Sequence, residues 1–101
     1  MALLDLLGRR WALRVLWELR DDTATPTFRE LQARCGDLSS SVLNERLREL
    51  REAEIVTVRP GEGYRLTPEG HRLMLALEPL DGWARRWAAG APSEKPDRPN
   101  K

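Results

Sequence analysis

Residues 27–50 read TFRELQARCGDLSSSVLNERLREL, and the fold turns on how this stretch divides. Thr27 and Glu30 stand three apart ahead of an apolar run, the spacing of a capping box. In that motif hydroxyl and carboxylate each satisfy the other residue's free backbone donor. The helix they open runs over Phe28 to Cys35, with Phe28, Leu31 and Cys35 on one stripe. Gly36 ends it, since glycine accepts the left-handed backbone that closes a helix. After Asp37 and Leu38, Ser39 caps a longer helix reaching about Ala53. At about 100° per residue, Leu43, Leu47 and Leu50 form a narrow apolar stripe flanked by Val42. Ser41, Asn44, Glu45, Arg48 and Glu52 stand opposite. A short capped helix, a tight glycine turn and a longer helix are the parts of a helix-turn-helix.

Downstream, Ile55 to Arg59 alternate with β-branched residues, Pro60-Gly61-Glu62-Gly63 turns, and Tyr64-Arg65-Leu66 runs back. This hairpin, directly after the longer helix, is a wing. Thr67 followed by Pro68 has the cap-then-proline pattern of a helix start. The last helix carries Leu73, Leu77, Leu80, Ala84 and Trp87 in steps of four and three, a coiled-coil-like seam with Trp83 beside it. Pro79 and Gly82 are expected to bend or interrupt it. Upstream, a short apolar helix over Ala2 to Leu7 is followed by Gly8. A second helix is expected from about Arg9 to Arg20, with Ala12, Val15, Leu16 and Leu19 inward. The fold class is therefore mainly α with a small β-hairpin: a winged helix-turn-helix, three core helices plus wing, with terminal helices left over for dimerisation. Residues 1–90 form one domain. Residues 91–101, with three prolines and no large apolar side chain, are expected to be a disordered tail.

Composition narrows the function. At 101 residues the chain has room for one small domain. No apolar run approaches the roughly 20 residues that span a bilayer, and Met1 to Leu7, with Asp5 inside, does not read as a signal peptide. One cysteine, Cys35, and one histidine, His71, make an internal disulfide impossible and a zinc site improbable on ligand number alone. The expected location is the cytoplasm, and no metal or cofactor is expected. No nucleophile–base pair or phosphate-binding glycine loop points to an enzyme. A net charge of +1 argues against a histone-like grip on nucleic acid. All but two of the cations are arginines, whose planar fork suits phosphate or guanine, although a GC-rich genome yields the same bias.

Four segments resemble one family, the HxlR-type winged-helix regulators. Leu4-Asp5-Leu6-Leu7-Gly8-Arg9-Arg10-Trp11 is similar to their DLIGGKW opening, and Phe28-Arg29-Glu30-Leu31 to their FNEL. Leu38 through Leu50 resembles their ISPRVLSERLREL, and Tyr64 through Gly70 matches their YxLTxxG, which MarR-type proteins share. The likeness runs from about Leu3 to Trp87. It implies a DNA-binding homodimer, with first and last helices at the interface and the helix after the turn in the major groove. Two features depart from the family. Its cysteine ahead of the opening helix has no counterpart in this sequence, and the wing is several residues shorter.

On that reading Ser40, Ser41, Asn44 and Arg48 face base edges, since Asn pairs with adenine and Arg with guanine. The plain alternative is a solvated face, with Glu45, Glu49 and Glu52 paired to Arg48 and Arg51. Glu45 either accepts from cytosine or orients an arginine, and Arg46 reaches either a phosphate or an internal carboxylate. Arg59 and Arg65 bracket the hairpin turn as phosphate clamps or as solvated cations. Thr27 and Arg29 sit where a helix start meets the DNA backbone. Leu3, Leu7, Leu77, Leu80, Trp83 and Trp87 are expected to form the dimer interface, the tryptophans being large for a small monomer to bury. Cys35 belongs to the core, and His71 is solvated. The partners expected are double-stranded DNA and a second copy of the chain; a small-molecule effector is compatible, though no residue names it. The competing reading is a winged-helix protein-interaction module without specific DNA binding.

Overall fold

The computed structural model describes residues 2–90, with side chains from Leu4 onward. The tail expected over residues 91–101 and the Leu3 side chain lie outside the described residues. The order is α1 (Ala2–Leu7), α2 (Ala12–Glu18), α3 (Phe28–Arg34), α4 (Ser40–Glu52), β1 (Val56–Val58), β2 (Tyr64–Leu66) and α5 (Pro68–Gly90). Mainly helical, with one antiparallel hairpin in the register Val56–Leu66, Thr57–Arg65 and Val58–Tyr64, it has the expected winged helix-turn-helix architecture.

The caps form as the residue types dictate. Thr27 Oγ1 accepts from the Glu30 N–H at 3.2 Å while Glu30 Oε1 accepts from the Thr27 N–H at 2.9 Å. Ser39 Oγ accepts from the Val42 N–H at 3.3 Å and so starts α4. Between these helices Gly36 and Asp37 both take left-handed backbone, with φ of 76° and 58°. Gln32 Nε2 then donates to the Leu38 carbonyl at 2.7 Å and to Ser40 Oγ at 3.1 Å, so a side chain of α3 braces the first turn of α4.

The core joins Val15, Leu16 and Leu19 of the α2 region to Leu31 and Cys35, to Leu43, Leu47 and Leu50 of α4, and to Ile55, Val56 and Leu66 of the wing. Each leucine of the α4 stripe is buried, which fixes the opposite face outward. Leu73 and Met74 of α5 pack against this core half-buried.

Two expectations about helices are corrected. The second helix does not begin at Arg9. Trp11 adopts φ 77°, which no residue inside a right-handed helix can hold, so α2 starts at Ala12 with the indole packed against the core. The last helix is not broken either: α5 runs through Pro79 and Gly82 for 23 residues. Proline removes one bond, to the carbonyl four residues back at Leu75. Both residues are exposed, so water can take the freed acceptor.

Cys35 is buried, and that desolvation pushes its thiol above the usual range. Thiolate is the reactive species, so native Cys35 should label many-fold more slowly than unfolded chain with a thiol reagent at neutral pH. Equal rates in stopped labelling with and without denaturant would show that the core is open.

Candidate nucleic-acid interface

Helix α4 presents Ser41, Asn44, Glu45 and Arg48 on one exposed face, at helical spacings of three and four. Ser41 and Asn44 make no side-chain hydrogen bond among the described residues. Ser40 is exposed but already accepts from Gln32. Arg48 lies between two carboxylates: its Nη2 donates to Glu45 Oε2, and its Nη1 donates to Glu52 Oε2 at 2.9 Å. The hydrogen bond from Arg48 holds the Glu45 carboxyl below the ordinary glutamate range, and the Glu45 and Glu52 carboxylates hold the Arg48 guanidinium charged.

Arg46 goes the other way. Its side chain is 13% exposed and its Nε lies 3.3 Å from Glu49 Oε1 in an ion pair whose atoms are not aligned as a hydrogen bond. Of the two partners considered for it, phosphate and internal carboxylate, the structure has the carboxylate. Arg9, from the turn between α1 and α2, approaches the same Glu49 at 3.6 Å. The expected pairing of Arg51 with neighbouring carboxylates is absent. Arg51 is exposed, makes no ion pair among the described residues, and lines a groove of about 480 Å³ between α4 and β1. It is the binding candidate that the helical pattern left out, because only the position of β1 shows that it faces the wing.

The wing is seated by close backbone approach. The Tyr64 N–H donates to the Pro26 carbonyl at 2.8 Å, and a Cβ at Gly63 would overlap the Thr25 carbonyl oxygen. The hairpin is thereby locked to the loop that leads into α3. Arg59 is exposed near the tip, Arg65 is half-buried on β2, and Thr27 and Arg29 are exposed at the start of α3. Arg29, Arg59 and Arg65 make no ion pair among the described residues.

The residues expected at a dimer interface separate. Leu7 packs half-buried against the core of its own chain, and Leu77 is half-buried on α5. Leu80, Trp83 and Trp87 are 55%, 53% and 63% exposed, with the two indoles stacked 6.0 Å apart at an interplanar angle of 6°. Between α2 and α5 lies a cavity of about 560 Å³, with Leu13, Trp17, Met74, Leu77 and Leu80 among its lining residues. His71, at its edge, is not simply solvated: its Nε2 lies 3.1 Å from Asp22 Oδ1, a partner 49 residues away. Among the described residues no group of three or more His, Cys, Asp or Glu could hold a metal ion, and no helix is long and apolar enough to cross a membrane.

A family model described as HxlR-like helix-turn-helix matches residues 6–91, from α1 to the end of α5. The chain belongs to the HxlR-like helix-turn-helix family. The HTH-type transcriptional regulator YvaP of Bacillus subtilis is 30% identical over 89 residues, covering 82% of this chain and 81% of that protein. Among solved structures, quinone-bound YodB from B. subtilis aligns with a TM-score of 0.75 at 29% identity, covering 84% of this chain and 92% of YodB. A possible HxlR family transcriptional factor from Thermoplasma volcanium GSS1 aligns with a TM-score of 0.77, over 86% of this chain and 82% of its own, and at 24% identity shares the fold. This HxlR-like chain is thus a helix-turn-helix transcriptional regulator and not an enzyme.

The Glu45–Arg48 contact has a direct consequence for titration. A carboxyl whose folded value is lowered contributes stability above its unfolded value and loses it as pH falls through the folded one. Glu45 should therefore titrate below ordinary glutamate in carboxyl-carbon NMR, and Arg48→Ala should return it to the ordinary range. An unchanged Glu45 in that variant would dissolve the pair.

Proposed function

We propose that this DNA-binding regulator acts as a homodimer on a palindromic operator, with α4 of each subunit in the major groove. The observation that carries the reading is the exposed row Ser41, Asn44, Glu45 and Arg48 on a helix whose other face is locked by Leu43, Leu47 and Leu50. A reading helix needs that combination, because base contacts specify only when the backbone carrying them is held in place. Asn44 has both amide groups free for an adenine edge, with Ser41 one turn earlier. Ser40 lies at the helix start, where a backbone contact is natural. Arg59 and Arg65 on the hairpin, with Thr27 and Arg29 at the start of α3, supply contacts to phosphate, and Arg51 joins them from the α4–β1 groove. Arg46 would have to leave Glu49 to reach a phosphate.

Association through α5 is supported by Leu80, Trp83 and Trp87, each left more than half exposed by the described residues. Leu77 borders this face on the same helix, and half-buried Leu7 of α1 is read as joining the interface. Residues 1–90 then serve as one unit for DNA binding and dimerisation. The chain is read as cytoplasmic, where its DNA lies. An effector would enter the cavity between α2 and α5, beside the association face.

Two measurements check this. Sedimentation at micromolar concentration should show a dimer, and Trp83→Ala with Trp87→Ala should weaken it by several kcal/mol if they are central anchors; a wild-type species of 11.6 kDa alone would end the proposal of a dimer. On a selected operator Asn44→Ala should cost roughly 1–3 kcal/mol and leave nonspecific binding nearly unchanged. Arg59→Ala and Arg65→Ala should weaken all sequences alike, each lowering the salt slope by about one unit. Were Asn44→Ala to reduce specific and nonspecific binding in equal proportion, α4 would not be the reader. Binding to no DNA at low salt would favour the protein-interaction module.

A further inference from the structure

Most charged groups on α4 are already engaged with one another, and the partners chosen are informative. Glu49 is taken on the inner side by Arg46 and Arg9. That leaves Glu45, Arg48 and Glu52 as a separate triplet on the exposed side, with the Arg48 and Glu45 side chains 52% and 46% exposed. A carboxylate on a helix lying against DNA is repelled by phosphates. That cost is offset where it orients an arginine or accepts a hydrogen bond from the groove floor. In the major groove the base-edge donors are the amino groups of cytosine and adenine, and the usual match for Glu is cytosine N4.

We propose that Glu45 and Arg48 act as one coupled reader of a single C·G base pair. Across the major-groove edge that pair presents the cytosine N4 donor, then the guanine O6 and N7 acceptors. Joined side by side, the two side chains present a complementary order, a carboxylate acceptor next to guanidinium donors. The remaining valences suffice. Arg48 spends one donor on Glu45 and one on Glu52, leaving three of its five N–H groups for guanine. Glu45 uses Oε2 for Arg48, and its Oε1 has no hydrogen bond among the described residues. Glu52 accepts a second hydrogen bond from the guanidinium, from the next turn of the helix. The triplet also carries a net negative charge, so an unmatched duplex meets two carboxylates around one guanidinium, which holds nonspecific affinity down.

This inference rests on α4 being the helix in the groove, and the experiment separates the two. Sequences are selected from a random duplex pool with full-length wild type, Glu45→Gln and Arg48→Ala, with circular dichroism confirming that each variant folds. Wild type should select C·G at one position of each half-site. Both variants should lose discrimination at that same position, by roughly tenfold or more, and Glu45→Gln should drift there toward A·T, the pair glutamine reads. Glu45→Gln should also bind an unrelated duplex more tightly than wild type, because one repelling charge is gone. If wild type selects a motif and either variant selects it unchanged, or the two lose different positions, the coupled reader is overturned while the reading helix stands. If wild type selects no motif, it is the operator reading that has failed.

Discussion

Everything distal to α4 depends on one backbone carbonyl, that of Ile55. It accepts from the Thr67 N–H at 2.9 Å, and a Cβ at Gly70 would overlap the same oxygen. Thr67 Oγ1 meanwhile donates to the neighbouring Glu54 carbonyl at 2.6 Å and accepts from the Gly70 N–H at 3.0 Å. One threonine therefore ends the hairpin, caps α5 and ties both to the residue that leaves α4. Helix α4, the wing and α5 share a single knot of hydrogen bonds, so none can be re-aimed without strain in the others. At buried Ile55 and Gly70 the backbone groups would be costly to leave unpaired, which ties the three elements together.

The electrostatics follow a different logic. A chain of net charge +1 cannot draw in DNA by a long-range field, and exposed ion pairs such as Arg14–Glu18 or Arg72–Glu69 add little to stability. What matters is placement. Among the described residues Arg29, Arg51, Arg59 and Arg65 are without carboxylate partners, while Arg46 and Arg48 of α4 are matched. On the proposed reading the unpaired arginines meet phosphate, and the paired Arg48 is kept for a base edge. Such a division yields selectivity from geometry where bulk attraction is missing.

How much of this was legible in the sequence depends on the range of each interaction. The capping box at Thr27–Glu30, the glycine stop at Gly36 and the Ser39 cap act within a few residues, so their residue types alone declared α3, the turn and α4. The leucine stripe declared which face of α4 is buried, and hence the exposed position of Asn44. Interactions between distant segments left no such mark. Nothing local told that Arg9 would reach Glu49, that His71 would meet Asp22, or that Trp11 would turn left-handed to seat its ring. Pro79 was expected to bend or interrupt α5, and the helix is not interrupted: the residue whose carbonyl it frees, Leu75, is exposed, so water can take that acceptor. Arg51 escaped notice for a related reason, since its role depends on where β1 lies and not on its own neighbours.

The contact of Gly63 with Thr25 bears on how such a chain could diversify. Because the returning strand touches the loop before α3 through bare backbone, added residues cannot be accommodated at that end of the hairpin. The tip is different: Gly61 has open space around it and already holds φ 77°. Length variation in this wing is therefore channelled into the Pro60–Glu62 apex, where an insertion would lengthen the reach toward DNA without disturbing the joint beneath it. A shape permissive at the tip and rigid at the base fixes the angle of the hairpin and leaves its length open.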